Sequence, residues 1–447
     1  MDWLALVGII AFAVGLMASI ALHEIGHLLP AKLFGVKVTQ YMVGFGRTIW
    51  SRRRGETEYG IKAIPLGGYV RMIGMFPPEP GADPRKLRQA STGPFQALIE
   101  DARKAAKEEI QPGDEDRVFY RQAWPKKLVV MLGGPTMNVI IAFGLVGGVL
   151  FTFGNFEKPI LEPTVASVSE CVIPASEGRT ECTADDPTAP AAAAQVLPGD
   201  RIVSVDGVPI AEWTDAQSAI RVRPDRTVDI VVERPLDEEG TAFETLRLSA
   251  HLLPSERPTL DSTADDVRYE TVGFLGVSPV IAGYEREDFA GAVAWVGGFT
   301  ITMAEAVAGI PQRMVGVWDA AFGGGERDPE GPVGIVGAGR IGGEIASLDE
   351  VPASARVASF VMLLASFNMA IALFNLIPLL PLDGGHVAGA LWEGIKRGWA
   401  RLTGRPTPRP VDVAKALPLA YGMAAVLVGM AVLLLYADIV NPITLSG

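Results

Sequence analysis

The chain runs to 447 residues, of which 49% are hydrophobic and 20% charged, with a formal net charge of −12. That length would suit two or three soluble domains, but a positive mean hydropathy and several long apolar runs make it an integral membrane protein instead. Its two cysteines, Cys171 and Cys182, form no Cys-x-x-Cys pair, which argues against cysteine-based zinc or redox motifs, and a nucleic-acid partner is not expected.

Residues 4–22 are almost wholly apolar and long enough to cross a bilayer. They carry neither a basic leader nor a small-residue cleavage site, so they do not read as a signal peptide. This first span runs into His23-Glu24-Ile25-Gly26-His27. Positions i and i+4 share a helix face, so His23 and His27 can offer two imidazole nitrogens to one ion. Glu24, beside them, is placed to take a proton from a water activated there. Ionisable side chains at membrane depth are costly, which makes a functional reading the default.

Residues 32–127 are basic and include Arg52, Arg53 and Arg54. The positive-inside rule puts them in the cytoplasm and the N-terminus outside. Within them, 36–49 and 58–73 read as strands, with Gly67-Gly68 as a break. The apolar surface of the first (Tyr41, Met42, Val43, Phe45, Ile49, Trp50) suits a hairpin that dips into the membrane beside the metal motif; a plain cytoplasmic hairpin is the alternative. The Pro-rich residues 76–84 read as a loop, and 97–110 as a charged, solvated helix. Residues 128–153 form a second span. An asparagine there needs a partner, so Asn138 either bonds a neighbouring helix or faces the site.

Residues 155–355 are acidic and, by parity, outside. An oxidising compartment permits a disulfide between Cys171 and Cys182. Residues 197–210 alternate as strand, Asp-Gly turn, strand; 214–220 suit a short helix, and 227–233 and 244–251 read as strands. This stretch, PGDRIVSVDGVPI above all, resembles a PDZ domain of the bacterial protease type over about 160–280. PDZ domains accept a peptide as an added strand; a plug over the membrane site is the other reading. Residues 289–317 are apolar but hold Glu305, Pro311, Gln312 and Arg313. A crossing there would carry the end of the next span away from His23 and His27, so the stretch is assigned to the interface. Residues 357–377 form the third span, which runs into NLIPLLPLDGGH. Residues 392–415 are basic, hence cytoplasmic, and 417–436 form a fourth span that ends outside.

Catalytic zinc usually takes three protein ligands plus water, so the two histidines leave it one short. Asp383 lies, by parity, at the cytoplasmic end of the third span, at the depth of the motif that ends the first. It is therefore the candidate third ligand, with a helix cap or turn residue as the other reading. His386 is a weaker candidate for that ligand and otherwise reads as a polar neighbour. The chemistry that follows is peptide hydrolysis with Zn2+ as cofactor and Glu24 as base. A substrate helix must unwind to be cut, and the strands near 36–73 can hold it extended by edge pairing. Asn375 is placed to bond the unwound backbone or the developing oxyanion. Asn138, Gly67 and Gly68 complete the candidate substrate-binding set.

HEIGH, IPLGGYV (64–70), FYRQ (119–122), GGPTMN (133–138), the PDZ region, GPVGI (331–335) and NLIPLLPLDGG run in this order over nearly the whole chain. Together they resemble the site-2 protease family of intramembrane zinc metalloproteases, in its bacterial branch typified by the regulator-of-sigma-E protease. The resemblance implies zinc held by residues matching His23, His27 and Asp383, a base matching Glu24, and a substrate-contacting asparagine matching Asn375. It implies four spans and a membrane-dipping hairpin. Its implied substrates are single-span membrane proteins such as anti-sigma factors, already trimmed outside, or remnant signal peptides. The family often carries one or two PDZ domains, of which one is visible here, and the cysteine-bearing insertion near 171–194 departs from it.

The expected fold is a polytopic α-helical membrane protein with four transmembrane helices, a membrane-associated β-hairpin region and an extracytoplasmic PDZ domain. Its segments are 1–34 with HExxH, 35–127 with the hairpin, 128–154, the PDZ domain 160–280, an interfacial region 285–355, 356–390 with the LDG motif, a loop 391–415, and 416–437. The expected location is the inner membrane, with both termini extracytoplasmic. The expected partners are the lipid bilayer, the membrane-protein substrate, and a peptide or pre-cleaved substrate end at the PDZ domain. The rival readings are a non-catalytic PDZ-bearing scaffold, an HExxH membrane metalloprotease of another class with a glutamate ligand, and a zinc transporter or sensor.

Overall fold

The computed structural model describes residues 3–77, 100, 103, 104, 106, 108–177, 179, 181–237, 241–260, 262, 267–348 and 351–444. The loop expected at 76–84 and the helix expected at 97–110 lie largely outside the described residues. The chain forms two compact units, Met1–Thr152 with Asp288–Gly447, and Phe153–Glu287.

The first unit opens with helix α1 (Trp3–Leu33). Its 31 residues would extend about 46 Å at the helical rise. It ends where Gly35 takes φ +79°. There Gly35 N–H bonds the Lys32 carbonyl and Val36 N–H bonds that of Ala31, a Schellman closure that a side chain at residue 35 would strain. Strands β1 (Val38–Arg54) and β2 (Thr57–Met72) follow, joined by a tight turn with Gly55 at φ +63°. The break expected at Gly67-Gly68 is instead a bend within one strand. Gly44, Gly46 and Gly67, all at positive φ, fold both strands so that Tyr41 pairs with both Tyr59 and Val70, and Val43 with both Ile61 and Gly68. Leu28, Val36, Val38, Tyr41, Phe119 and Met131 pack this sheet against α1 and helix α2 (Trp124–Thr152). Lys37 Nζ meets Asp114 Oδ2 at 2.6 Å and holds that carboxyl below the usual carboxylate range.

The second unit contains β3 (Pro159–Val168), α3 (Pro190–Ala193), β4 (Arg201–Val205), β5 (Val208–Pro209), α4 (Trp213–Arg221), β6 (Arg226–Pro235), β7 (Phe243–Pro258), β8 (Tyr269–Phe274) and β9 (Val277–Tyr284). The strands lie in the order β8-β7-β6-β4-β3-β9, with β5 on β4. The Asp-Gly turn is present, with Asp206 at φ +54° and Gly207 at +79°. Ile202 and Val205, on either side of a register shift in β4, and the alternate residues Val228, Ile230 and Val232 of β6 bury against Trp213 and Ile220 of α4. Asp200, fully buried, accepts two bonds from Arg234 and one from the Leu197 N–H.

Cys171 and Cys182 form the expected disulfide, closing a loop with a sequence separation of 11. Chain entropy assigns such a loop about 3 kcal/mol. Replacing both cysteines by serine is expected to lower the thermal midpoint of the full-length protein. Reductant should reproduce the shift in the wild type but not add to it in the variant. An unchanged midpoint would mean that the loop contributes nothing to stability.

The first unit resumes with α5 (Phe289–Ala308), α6 (Ile310–Phe322), α7 (Ile335–Ser347), α8 (Ala353–Asn375), α9 (Asp383–Leu402) and α10 (Leu417–Val440). Among the described residues, α1, α2, α5, α8 and the stretch Val413–Val440 are long and apolar enough to cross a bilayer. The stretch 289–317, expected to lie in the interface, is therefore two helices, and the first of them has the length of a span. Gly309 separates them: its N–H closes α5 on the Glu305 carbonyl, and Pro311 sits in the first turn of α6. Asp438 of α10 is buried against Arg327 at 2.8 Å and accepts the Gly337 N–H at 2.8 Å, which fastens α10 to the start of α7.

Candidate metal centre

The site is assembled where α1, α2 and the turn between α8 and α9 meet. On α1, His23 and His27 lie one turn apart on the buried face. Two backbones touch beside them: a Cβ on Gly26 would stand 2.2 Å from the Gly133 carbonyl oxygen, and one on Gly133 1.9 Å from that of Gly26. Only glycines allow that crossing. It brings Gly134 directly against the imidazoles, where a Cβ would stand 2.2 Å from His27 Nε2 and 2.6 Å from His23 Nε2. From the other side, α8 ends at Asn375, and the chain turns through Leu376–Leu382 before α9 begins at Asp383. Gly384 and Gly385 let the first turn of α9 pack on the backbone of Ile377, Leu379 and Leu380. Midway along, α9 is tied to α2 by Lys127 Nζ on Glu393 Oε2, 2.8 Å apart and buried.

These elements bring three ligand atoms together. His23 Nε2 and His27 Nε2 are 3.2 Å apart, and Asp383 Oδ2 lies 3.4 and 3.3 Å from them. His27 Nδ1 donates to the Val130 carbonyl at 2.8 Å, which leaves its Nε2 lone pair facing the cluster. Asp383 Oδ2 is buried without a hydrogen-bond partner among the described residues. Three facing acceptors repel one another unless a cation or shared proton sits among them. A tetrahedral zinc with bonds of about 2.0–2.1 Å spaces its ligands about 3.3–3.4 Å apart, so this donor set fits one. Among the described residues it is the one group of three His, Cys, Asp or Glu side chains close enough to hold an ion.

A cavity of about 360 Å³ opens on this cluster. His23, Glu24, His27, Asp383, Asn375, Asn138, Gly67 and Gly68 all line it, so every site residue anticipated from the sequence meets in one place. Asn138 is buried and lines the cavity, and its Oδ1 has no hydrogen-bond partner among the described residues. Glu24 is buried beneath Gly68, where a Cβ would stand 2.8 Å from Glu24 Cγ. His386 lines the same cavity without joining the cluster.

The glycines at the crossing, the Val130 carbonyl and the bond from Asn368 Nδ2 to Ser19 Oγ (3.0 Å) that joins α8 to α1 were not anticipated as parts of the site. The visible signal for the glycines was small residues in apolar helices, at Gly26 and at Gly133-Gly134.

The chain is 36% identical over 447 residues to the zinc metalloprotease Rip1 of Mycobacterium tuberculosis, covering 98% of both chains. It is 35% identical over 452 residues to Rip1 of Mycolicibacterium smegmatis, again 98% of both. It is 26% identical over 400 residues to the metalloprotease MmpA of Caulobacter vibrioides, covering 85% of this chain and 84% of that one. The pattern of peptidase family M50 matches residues 11–407. A histidine pair, a carboxylate and a buried glutamate around one cavity, in a chain that the family pattern matches over most of its length, lead to one conclusion: the protein belongs to peptidase family M50, the site-2 protease family of zinc metalloproteases.

Proposed function

We propose that the protein is an intramembrane zinc metalloendopeptidase that cuts single-span membrane proteins, anti-sigma factors or remnant signal peptides, in regulated intramembrane proteolysis. The observation that carries this reading is the meeting of three bare ligand atoms and a buried glutamate in one cavity among apolar helices. His23, His27 and Asp383 would hold zinc. Zinc there supplies a Lewis acid for the scissile carbonyl and acidifies a water. Glu24 takes the proton of the attacking water and delivers it to the leaving amine. The 68–71 part of β2 pairs with β1 on one edge, and its other edge has no strand partner among the described residues. That free edge, beside Glu24, can receive an unwound substrate as an added strand.

In this reading four helices span the inner membrane, the termini are extracytoplasmic, and the β1–β2 sheet dips into the bilayer. The second unit is an extracytoplasmic PDZ domain that takes a peptide or a pre-cleaved substrate end. Its support is a groove lined by Trp213, Ile220 and Arg221 of α4 and by Arg257, Leu275 and Val277, next to the edge strand β9.

The test is zinc per chain and cleavage of a model single-span substrate by purified full-length protein, alongside Asp383→Ala. The wild type should hold one zinc and cleave; the variant should lose both. Full zinc and activity in the variant would reject Asp383 and favour a glutamate-ligand enzyme. Asn375→Ala should keep zinc and lower turnover by roughly 10²-fold or more if Asn375 bonds the oxyanion. Wild-type turnover would remove it from the substrate site.

A further inference from the structure

We propose that the C-terminal half of α9 and the segment after it form a docking site for the anionic headgroup surface of the bilayer. This rests on the membrane reading above, and on an inversion in the helix itself. The face of α9 turned into the protein carries Ala390, Glu393, Gly394, Arg397 and Ala400, and its buried heart is ionic. Glu393 there meets Lys127 at 2.8 Å and Arg397 at 2.7 Å. The opposite face carries Trp392, Ile395, Trp399 and Leu402, at helical spacing and all exposed, Trp399 at 62% and Leu402 at 86%. A helix against water would point these faces the other way. An apolar face rich in tryptophan, turned outward, matches an interfacial helix.

The level of this stripe is marked by its neighbour. Gly394 packs on the Trp124 ring, where a Cβ would stand 2.9 Å away, and Trp124 is the first residue of the membrane-length helix α2. The stripe therefore straddles the end of a span, where tryptophans concentrate.

The charge selects the surface. Between Gly394 and Pro410 the chain holds Lys396, Arg397, Arg401, Arg405 and Arg409 and no acidic residue, in a protein whose net charge is −12. Arg397 is committed to Glu393, while Arg401, Arg405 and Arg409 are exposed. Arg405 N–H bonds the Ala400 carbonyl at 2.9 Å, which turns the chain back along the helix. Trp392, Lys396, Trp399 and Arg405 thereby line an open groove of about 440 Å³. Apolar rings beside cations that have no ion pair among the described residues fit acyl chains and anionic headgroups together.

The test places the full-length protein in nanodiscs of phosphatidylcholine with a minor fraction of brominated lipid, either phosphatidylcholine or phosphatidylglycerol. Tryptophan emission is read for the wild type and for Trp392→Phe/Trp399→Phe, whose difference isolates the two rings. Each basic side chain at an anionic surface strengthens contact by about fivefold. Brominated phosphatidylglycerol should therefore quench those rings at least about twofold more than brominated phosphatidylcholine at equal fraction. The excess should vanish at high salt and in Lys396→Gln/Arg401→Gln/Arg405→Gln/Arg409→Gln. Equal quenching by the two lipids would overturn the proposal. So would the absence of any quenching of these rings, which would mean that a protein covers them. Zinc content and cleavage are measured on the same nanodiscs. If they fail while the phosphatidylglycerol excess holds, the protease reading falls and the docking site stands.

Discussion

Replacing Glu24 by glutamine is expected to abolish peptide hydrolysis while bound zinc stays at the wild-type level. Glutamine keeps the size and the hydrogen-bonding reach of glutamate but cannot accept a proton at neutral pH. A general base in the attacking step is worth roughly 10²–10⁴-fold, so turnover should fall by at least that range. Zinc should remain because the three clustered ligand atoms belong to His23, His27 and Asp383, and Glu24 is not among them. Glu24 is buried under Gly68, so the isosteric change also leaves the packing of β2 on α1 in place. The check is zinc per chain measured beside cleavage of the same model substrate. A glutamine variant that cleaves at the wild-type rate would move the base to another side chain in the cavity, of which His386 and Tyr69 are the remaining ionisable ones outside the three ligands.

The clustering of His23, His27 and Asp383 was legible in the sequence because two simple rules reach it. Helical periodicity alone unites His23 with His27, and span parity, with 289–317 kept out of the count, carries Asp383 to the same depth. The disulfide followed from the same parity. What lay beyond these rules depends on contacts that no local pattern encodes. Strand alternation places β1 and β2 but says nothing of their double pairing, which depends on the positive-φ glycines Gly44, Gly46 and Gly67. Lys127 finds Glu393 266 residues away, and Arg327 finds Asp438 111 residues away. In sequence each is only a charge near an apolar run. The stretch 289–317 was read as one element, whereas Gly309-Ile310-Pro311 divides it into two helices. Dividing the stretch at that glycine exposes a first half long enough to span.

The second large effect belongs to a residue with no side chain. Gly134→Ala is expected to empty the metal centre. The new methyl would stand 2.2 Å from His27 Nε2 and 2.6 Å from His23 Nε2, two of the three clustered ligand atoms. Neither imidazole can retreat cheaply. His27 is fixed by its bond to the Val130 carbonyl, and α1 is locked to α2 by the Gly26–Gly133 backbone contact. The methyl must therefore displace a ring from the cluster or push the helices apart, and either change breaks the spacing of about 3.3–3.4 Å that a tetrahedral ion requires. Gly148→Ala is the control: it lies on the same helix with nothing within 4 Å of its Cβ position, and alanine there favours the helix by up to about 1 kcal/mol. Zinc per chain and thermal midpoint are measured for both. Loss of zinc in Gly134→Ala with full zinc in Gly148→Ala would show that the site depends on backbone approach as much as on its ligands. Full zinc and activity in Gly134→Ala would mean that the imidazoles coordinate from a different face of α1, and the assignment of Asp383 as their partner would fall with it.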